Sequence, residues 1–357
     1  MEIQENNFIE EDDTMSTLPP MDVIAFNELR STSDIVRLYT TKQLIIQPDF
    51  QRGIVWSNKD QSIFIDSLLK QLPIPSLCIS LDIHTNKRLV IDGLQRISSI
   101  IKFLTDEDWK LSKTDTIDER ISGKKVSEIR NNDSQIIEII ENVVIPVTII
   151  RCDYKNSSHM RYLYQIFQRL NSGGTRLLPQ EIRNCIYNGN FNTKLKEIVR
   201  TQEWLSIRDK TIEDINNNRF SNEELLLRFY AFYYSLDNYT GRLSDFLNNF
   251  MFINKDLDES TLAEYVTLIT DTLNLIINKV DNINRICKLK KTILEGLLIG
   301  VAKNLSTLQH VNKTEFEKLF SKFEELPEYS LEELSEGLSS REKVINRITS
   351  AINVFRK

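Results

Sequence analysis

The stretch Arg88-Leu-Val-Ile-Asp92-Gly93-Leu94-Gln95-Arg96 gathers residue types that can do chemistry together. It reads as a buried strand, a glycine turn and a helix whose apolar positions Ile97, Ile100, Ile101 and Leu104 face inward. Such a turn aims backbone N–H groups and the positive end of the helix dipole at one point, which suits a phosphate or another anion. Gln95 and Arg96 add an amide and a guanidinium in the first helical turn, while Asp92 at the strand end can hold a divalent cation or orient a water. A plainer reading stays open, in which Asp92 caps the helix and Arg96 pairs with it across the turn.

Two further clusters carry polar groups. Gln47 to Trp56 places Gln51, Arg52 and Trp56 in a loop between a strand and a helix, where Arg52 could converge with Arg96 on one polyanion. The same loop could instead lie on the surface with Trp56 as a lid on the core. Phe167 to Asn184 ends one helix at Asn171, reverses at Gly173-Gly174 and starts another at Pro179 with Glu181 in its first turn. The glycine pair permits close approach of backbone to a ligand, and equally an ordinary helix–helix turn.

The elements that must position these residues divide the chain by texture. Residues 1–21 form an acidic leader, expected to be disordered, with Pro19-Pro20 near its end. From 22 to 155, Gln43–Ile46, Ser76–Leu81, Arg88–Ile91 and Val143–Ile150 read as strands. Between the first two, Ser57 and Asp60 resemble a capping box, and Phe64, Ile65, Leu68, Leu69 and Leu72 give one helical stripe stopped by Pro73 and Pro75. The polar stretch 105–140 reads as an insertion, and 156–357 as almost entirely helical. The fold class expected is therefore α+β, a mixed α/β domain followed by a helical one.

The 357 residues carry 45 Lys and Arg against 51 Asp and Glu, a formal charge of −6. Eight of the acids lie in residues 1–29, which hold no Lys or Arg, so the remainder has 43 acids against 45 bases. Bulk charge thus gives no ground for strong nonspecific DNA binding. The N-terminus lacks the pattern of a secretory signal, and Val143–Ile150 is too short to span a bilayer, so a cytoplasmic protein without membrane contact is expected. Cys78, Cys152, Cys185 and Cys287 are far apart with no C-x-x-C pair, which predicts reduced and mostly buried thiols. Phosphate-loop, G-x-G-x-x-G and PD-(D/E)-x-K patterns are missing.

Taken in order, Gln51-Arg52 with Trp56, Ile74-Pro75, Asp92-Gly93 with Gln95-Arg96, and the run Phe167 to Asn184 closely resemble the N-terminal domain family of GmrSD-type, modification-dependent restriction proteins. The similarity spans roughly residues 40 to 252 and implies a ParB/sulfiredoxin-like core. It implies a centre of nucleotide binding and hydrolysis, governing cleavage of modified DNA, with Asp92, Gln95 and Arg96 as its catalytic residues. Gln51, Arg52, Trp56, Gly93, Asn171, Gly173 and Gly174 would bind a nucleoside triphosphate, and Asp92 its Mg²⁺. Leu94 stands where the commoner form of the motif has its first Gln, which removes one hydrogen-bonding side chain. Many members continue into an HNH-type nuclease whose histidine motifs are not found here, so cutting would need a partner protein, and the protein partner expected is an HNH-type nuclease or, in a homo-oligomer, the chain itself. Two other readings remain: a ParB-like module that binds modified DNA without catalysis, and an autonomous nuclease with Asp49 and Asp92 sharing a metal.

Overall fold

A computed structural model describes residues 18–46, 56–170, 177–208, 210–213, 220–334 and 337–357, and contacts divide these into two compact units at Arg176/Leu177. Unit one is built on five strands: β1 (Ile24–Ser31), β2 (Leu44–Ile45), β3 (Leu77–Asp82), β4 (Arg88–Asp92) and β5 (Val144–Cys152). They form one mixed sheet in the order β1-β5-β3-β4-β2. The β1/β5 and β3/β4 pairs are antiparallel, while β5/β3 and β4/β2 are parallel. Its helices are α1 (Thr32–Thr40), α2 (Asn58–Leu69), α3 (Leu94–Thr105), α4 (Val126–Asn132), α5 (Ser134–Asn142) and α6 (Ser157–Leu170).

Period-two alternation explains the central strands. Ile145, Val147 and Ile149 of β5 are at most 1% exposed and point into one core with Leu77, Ile79 and Val90. Helices α1, α2, α3 and α5 close that face, each through an apolar stripe such as Ile97, Ile100 and Ile101 of α3. The predicted capping box at α2 is present: Ser57 Oγ accepts the Asp60 N–H at 3.2 Å, and the Asp60 carboxylate accepts the Ser57 N–H at 3.0 Å. The stretch 105–140 supplies Trp109, Leu111, Ile117, Ile121, Val126, Ile129, Ile136, Ile137 and Ile140 to the same core.

On the opposite face of the sheet α6 packs on β4, although the sequence pattern assigns it to the helical part. Buried His159 of α6 accepts the Asp153 N–H at Nδ1, and its Nε2 lies 2.9 Å from Asp22, just before β1. Strand β1 at the sheet edge, together with α1, is absent from the sequence reading. Ile24, Phe26 and Leu29 of β1 are exposed, so no alternation of buried and exposed residues marks it as a strand.

Unit two, from Leu177 onward, is helical: α7 (Pro179–Ile186), α8 (Asn190–Ile198), α9 (Gln202–Arg208), α10 (Ser221–Ser235), α11 (Leu243–Asn254), α12 (Glu259–Lys279), α13 (Ile283–Cys287), α14 (Lys291–Lys303), α15 (Leu305–Leu308), α16 (Lys313–Glu324) and α17 (Arg341–Phe355). The expected α+β class therefore holds. The chain turns through Lys288 to Lys290, which separates α13 from α14. Helices α14 and α17 approach closely at Gly300, where an added Cβ would lie 2.8 Å from the Ala351 carbonyl oxygen. Among the described residues no helix is long and apolar enough to cross a membrane.

Candidate functional site

The predicted strand, glycine turn and helix are all present. Strand β4 ends at Asp92, Gly93 takes φ +92° and ψ +17°, and α3 starts at Leu94. Only glycine adopts that left-handed backbone without strain, and a Cβ there would come within 2.3 Å of Leu77 Cδ2. The turn is thus fixed by both its backbone and its packing. Asp92 accepts no N–H of the first turn of α3, so it does not play the capping part. The first turn of α3 carries the positive end of the helix dipole at this corner.

Arg96 turns back toward the strand. Its Nη2 donates to Asp92 Oδ2 at 2.8 Å, and its Nη1 donates to the carbonyls of Pro75 and Ser76, the latter at 3.3 Å. The pairing of Arg96 with Asp92 is therefore real, and it leaves the guanidinium 13% exposed against 39% for the carboxylate. One arginine holds the strand end, the Ile74-Pro75 segment and the helix start in register. Asp92 Oδ1 has no hydrogen-bond partner among the described residues. Gln95 is half-buried in the same first turn.

Cys78 of β3 lies in register with Asp92 across a β-bulge. Burial pushes its thiol up to about 12, and the Asp92 charge adds to the effect. A thiol held protonated in this way is a packing group and not a nucleophile. Among the described residues Cys78, Cys152 and Cys185 are buried, Cys287 is half-buried, and all four are free thiols as expected.

A polar row continues along the sheet from this corner. Ser76 Oγ lies 3.2 Å from Thr148 Oγ1 on β5, which donates to Asn27 Oδ1 on β1 at 2.9 Å. The sequence reading gives none of Asn27, Ser76 and Thr148 a part in a site. Ile74-Pro75, part of the motif pattern, is the one signal that led to this rim.

The remaining predicted residues distribute as follows. Trp56 packs tilted against Phe64, with ring centroids 5.5 Å apart, and covers the edge of the core, the lid placement named for it above. Asp49, Gln51, Arg52, Asn171, Gly173 and Gly174 lie outside the described residues. The end of the third motif is interior structure in unit two. There Arg183 is wholly buried, donating to Asn248 Oδ1 at 2.9 Å and Gln180 Oε1 at 3.2 Å. Glu181 closes the start of α7 by accepting the Leu178 N–H at 2.6 Å.

No group of three or more His, Cys, Asp and Glu side chains among the described residues could hold a metal unaided. A single carboxylate with a free oxygen nevertheless suits Mg²⁺, which takes one or two carboxylates and fills its octahedron from phosphates and water. Asp92 offers that arrangement beside the N-terminus of α3.

Residues 32–188 match the family model described as GmrSD restriction endonuclease, N-terminal domain. The matched segment covers strands β2 to β5 but not β1, together with the Asp92–Arg96 turn and the third motif through α7. No curated protein and no solved structure matches the chain.

Proposed function

With residues 32–188 a GmrSD-type N-terminal domain, and a role in a restriction system thereby indicated, we propose that the chain is the nucleotide-binding, NTP-hydrolysing regulatory subunit of a modification-dependent system, acting with a separate nuclease. The observation that carries the reading is the corner at Gly93. There the N-terminus of α3, with its amide-bearing first turn, and the Oδ1 of Asp92, which accepts no hydrogen bond among the described residues, meet at the half-buried end of β4.

Each group has a part in this reading. The N–H groups of Leu94, Gln95 and Arg96 bind the terminal phosphates, which the helix dipole favours by a further fraction of a kcal/mol, about 0.3 to 1. Asp92 Oδ1 holds a Mg²⁺, whose charge offsets that of the phosphates. Arg96 is a positioning residue: by engaging Asp92 Oδ2 it fixes which oxygen faces the cation. Gln95 orients a water for attack on the terminal phosphorus, in line with the bridging oxygen that departs with the nucleoside diphosphate. Leu94, apolar where the commoner motif has Gln, leaves this chain with one amide for that task.

Thermal unfolding with each of the four NTPs and Mg²⁺, paired with phosphate release in the presence and absence of DNA, tests the proposal. Stabilisation by at least one nucleotide is expected by mass action, lost in Asp92→Asn without change in the unfolding of the free protein. Neither stabilisation nor phosphate release with any NTP would refute it.

A further inference from the structure

Strands β1 and β5 carry, on the sheet face away from the core of Ile145, Val147 and Ile149, a groove of about 360 Å³ lined by Asn27, Glu28, Leu29, Ser76, Pro146 and Thr148. That volume falls within the range of small-molecule sites, about 300 to 1,000 Å³. We infer that this groove seats the nucleoside end of the nucleotide whose phosphates lie at Gly93, an inference that rests on the nucleotide reading above and deepens it.

Register places the two ends on one line. Asn27 pairs with Thr148, Thr148 with Cys78, and Cys78 with Asp92, so one residue from each of four adjacent strands forms a continuous row. Three strand spacings separate its ends, about 14 Å. That is the reach of an extended nucleoside triphosphate rather than of a free phosphate.

The chemistry of the groove fits a base and sugar. Leu29, 73% exposed, stands in register with Pro146, and together they give a flat apolar surface on which a base can lie. Nothing in the core needs Leu29 there, because the buried side chains of β5 point to the other face. Beside it, Asn27 has its carbonyl engaged by the Thr148 hydroxyl, while its NH₂ makes no hydrogen bond among the described residues. Two amide hydrogens are therefore available to a base or sugar oxygen. The chain Thr148, Ser76 and Arg96 then links the groove to Asp92, since Arg96 donates to the Ser76 carbonyl and Ser76 Oγ meets Thr148.

The test compares an NTP with inorganic tripolyphosphate, which has the phosphates and no nucleoside, both with Mg²⁺ and by calorimetry. Wild-type protein is expected to bind the NTP more tightly. Asn27→Ala and Leu29→Ser should each weaken NTP binding about threefold to tenfold while leaving tripolyphosphate affinity unchanged. Both side chains are exposed, so equal melting temperatures without ligand serve as the folding control. Wild-type affinity for the NTP in both variants would overturn the inference and leave the nucleotide reading standing. Failure of the wild-type chain to bind either compound would overturn that reading and the inference with it.

Discussion

Two arginines of the motif pattern, one in each unit, are placed in opposite ways. In unit two Arg183 is wholly buried among Gln180, Asn248 and Glu224. Arg228 pairs with Glu295 at 2.5 Å with both side chains almost inaccessible, and Arg347 is buried beside them. In unit one the Asp92–Arg96 pair sits on the rim, with one carboxylate oxygen uncommitted. A charge consumed inside a helical bundle specifies packing, whereas a charge held in place at a strand end with spare valence is set for a ligand. Residue types alone do not separate the cases, since Arg96 and Arg183 look alike in sequence.

The largest effect expected from this difference is in unit two. Glu295→Ala leaves Arg228 buried without its carboxylate, and stability should fall by about 3 to 5 kcal/mol, read by urea unfolding. Replacing both partners, Arg228→Met with Glu295→Leu, should recover most of that loss. If the single and double variants were equally damaging, the pair would be more than an internal charge match. Hydrogen exchange should show the loss in peptides from 177 onward.

Next in size is Gly93→Ala. It forces a left-handed backbone on a residue with a Cβ and drives that atom toward Leu77. The expected cost is about 2 to 4 kcal/mol, with protection lost first along β3, β4 and α3. A variant as stable as wild type would mean that the turn tolerates another backbone and that its geometry does not define the corner.

How far each unit could be read in advance follows from the same contrast. The turn at Gly93, the capping box at Ser57 and the stripe of α3 were legible because each is a local pattern that tertiary contacts reinforce. Strand β1 was not, because an edge strand with Ile24, Phe26 and Leu29 in solvent lacks the alternation that marks a half-buried strand. With β1 unseen, Asn27 had no place in a site and Thr148 no neighbour. The direction taken by the Arg96 side chain was equally hidden: pairing with Asp92 is local, but the Pro75 and Ser76 carbonyls are brought there by the β3–β4 register. The burial of Arg183 depends on α11 lying over α7, which no spacing within Gln180 to Asn184 encodes.

A smaller effect comes from the thiols of unit one. Burial pushes Cys78 and Cys152 from an ordinary 9 up to about 12. The folded chain keeps these protons at a pH where the unfolded chain releases them, so their contribution is complete below pH 9 and declines as pH rises toward 12. Between pH 9 and 10 each thiol should cost about 1 kcal/mol. Urea midpoints for the Cys78→Ala, Cys152→Ala double variant should fall less over that interval than those of wild type. Parallel slopes would show that the buried thiols do not govern alkaline stability.

The smallest effect on stability should accompany the largest on function. Asp92→Asn keeps an acceptor for Arg96 Nη2 and lies on a rim where substitutions stay within about 0.5 kcal/mol, so its urea midpoint should match wild type. Its Mg²⁺-dependent response to nucleotide should nevertheless disappear, because the amide removes the charge that the cation needs. Arg183→Met, at the matching arginine of the third motif, should do the reverse, lowering the midpoint through the orphaned Asn248 and Glu224 while the folded fraction still responds to nucleotide. Crossed outcomes, with Asp92→Asn unfolding the chain and Arg183→Met silencing a stable one, would exchange the roles assigned to rim and interior.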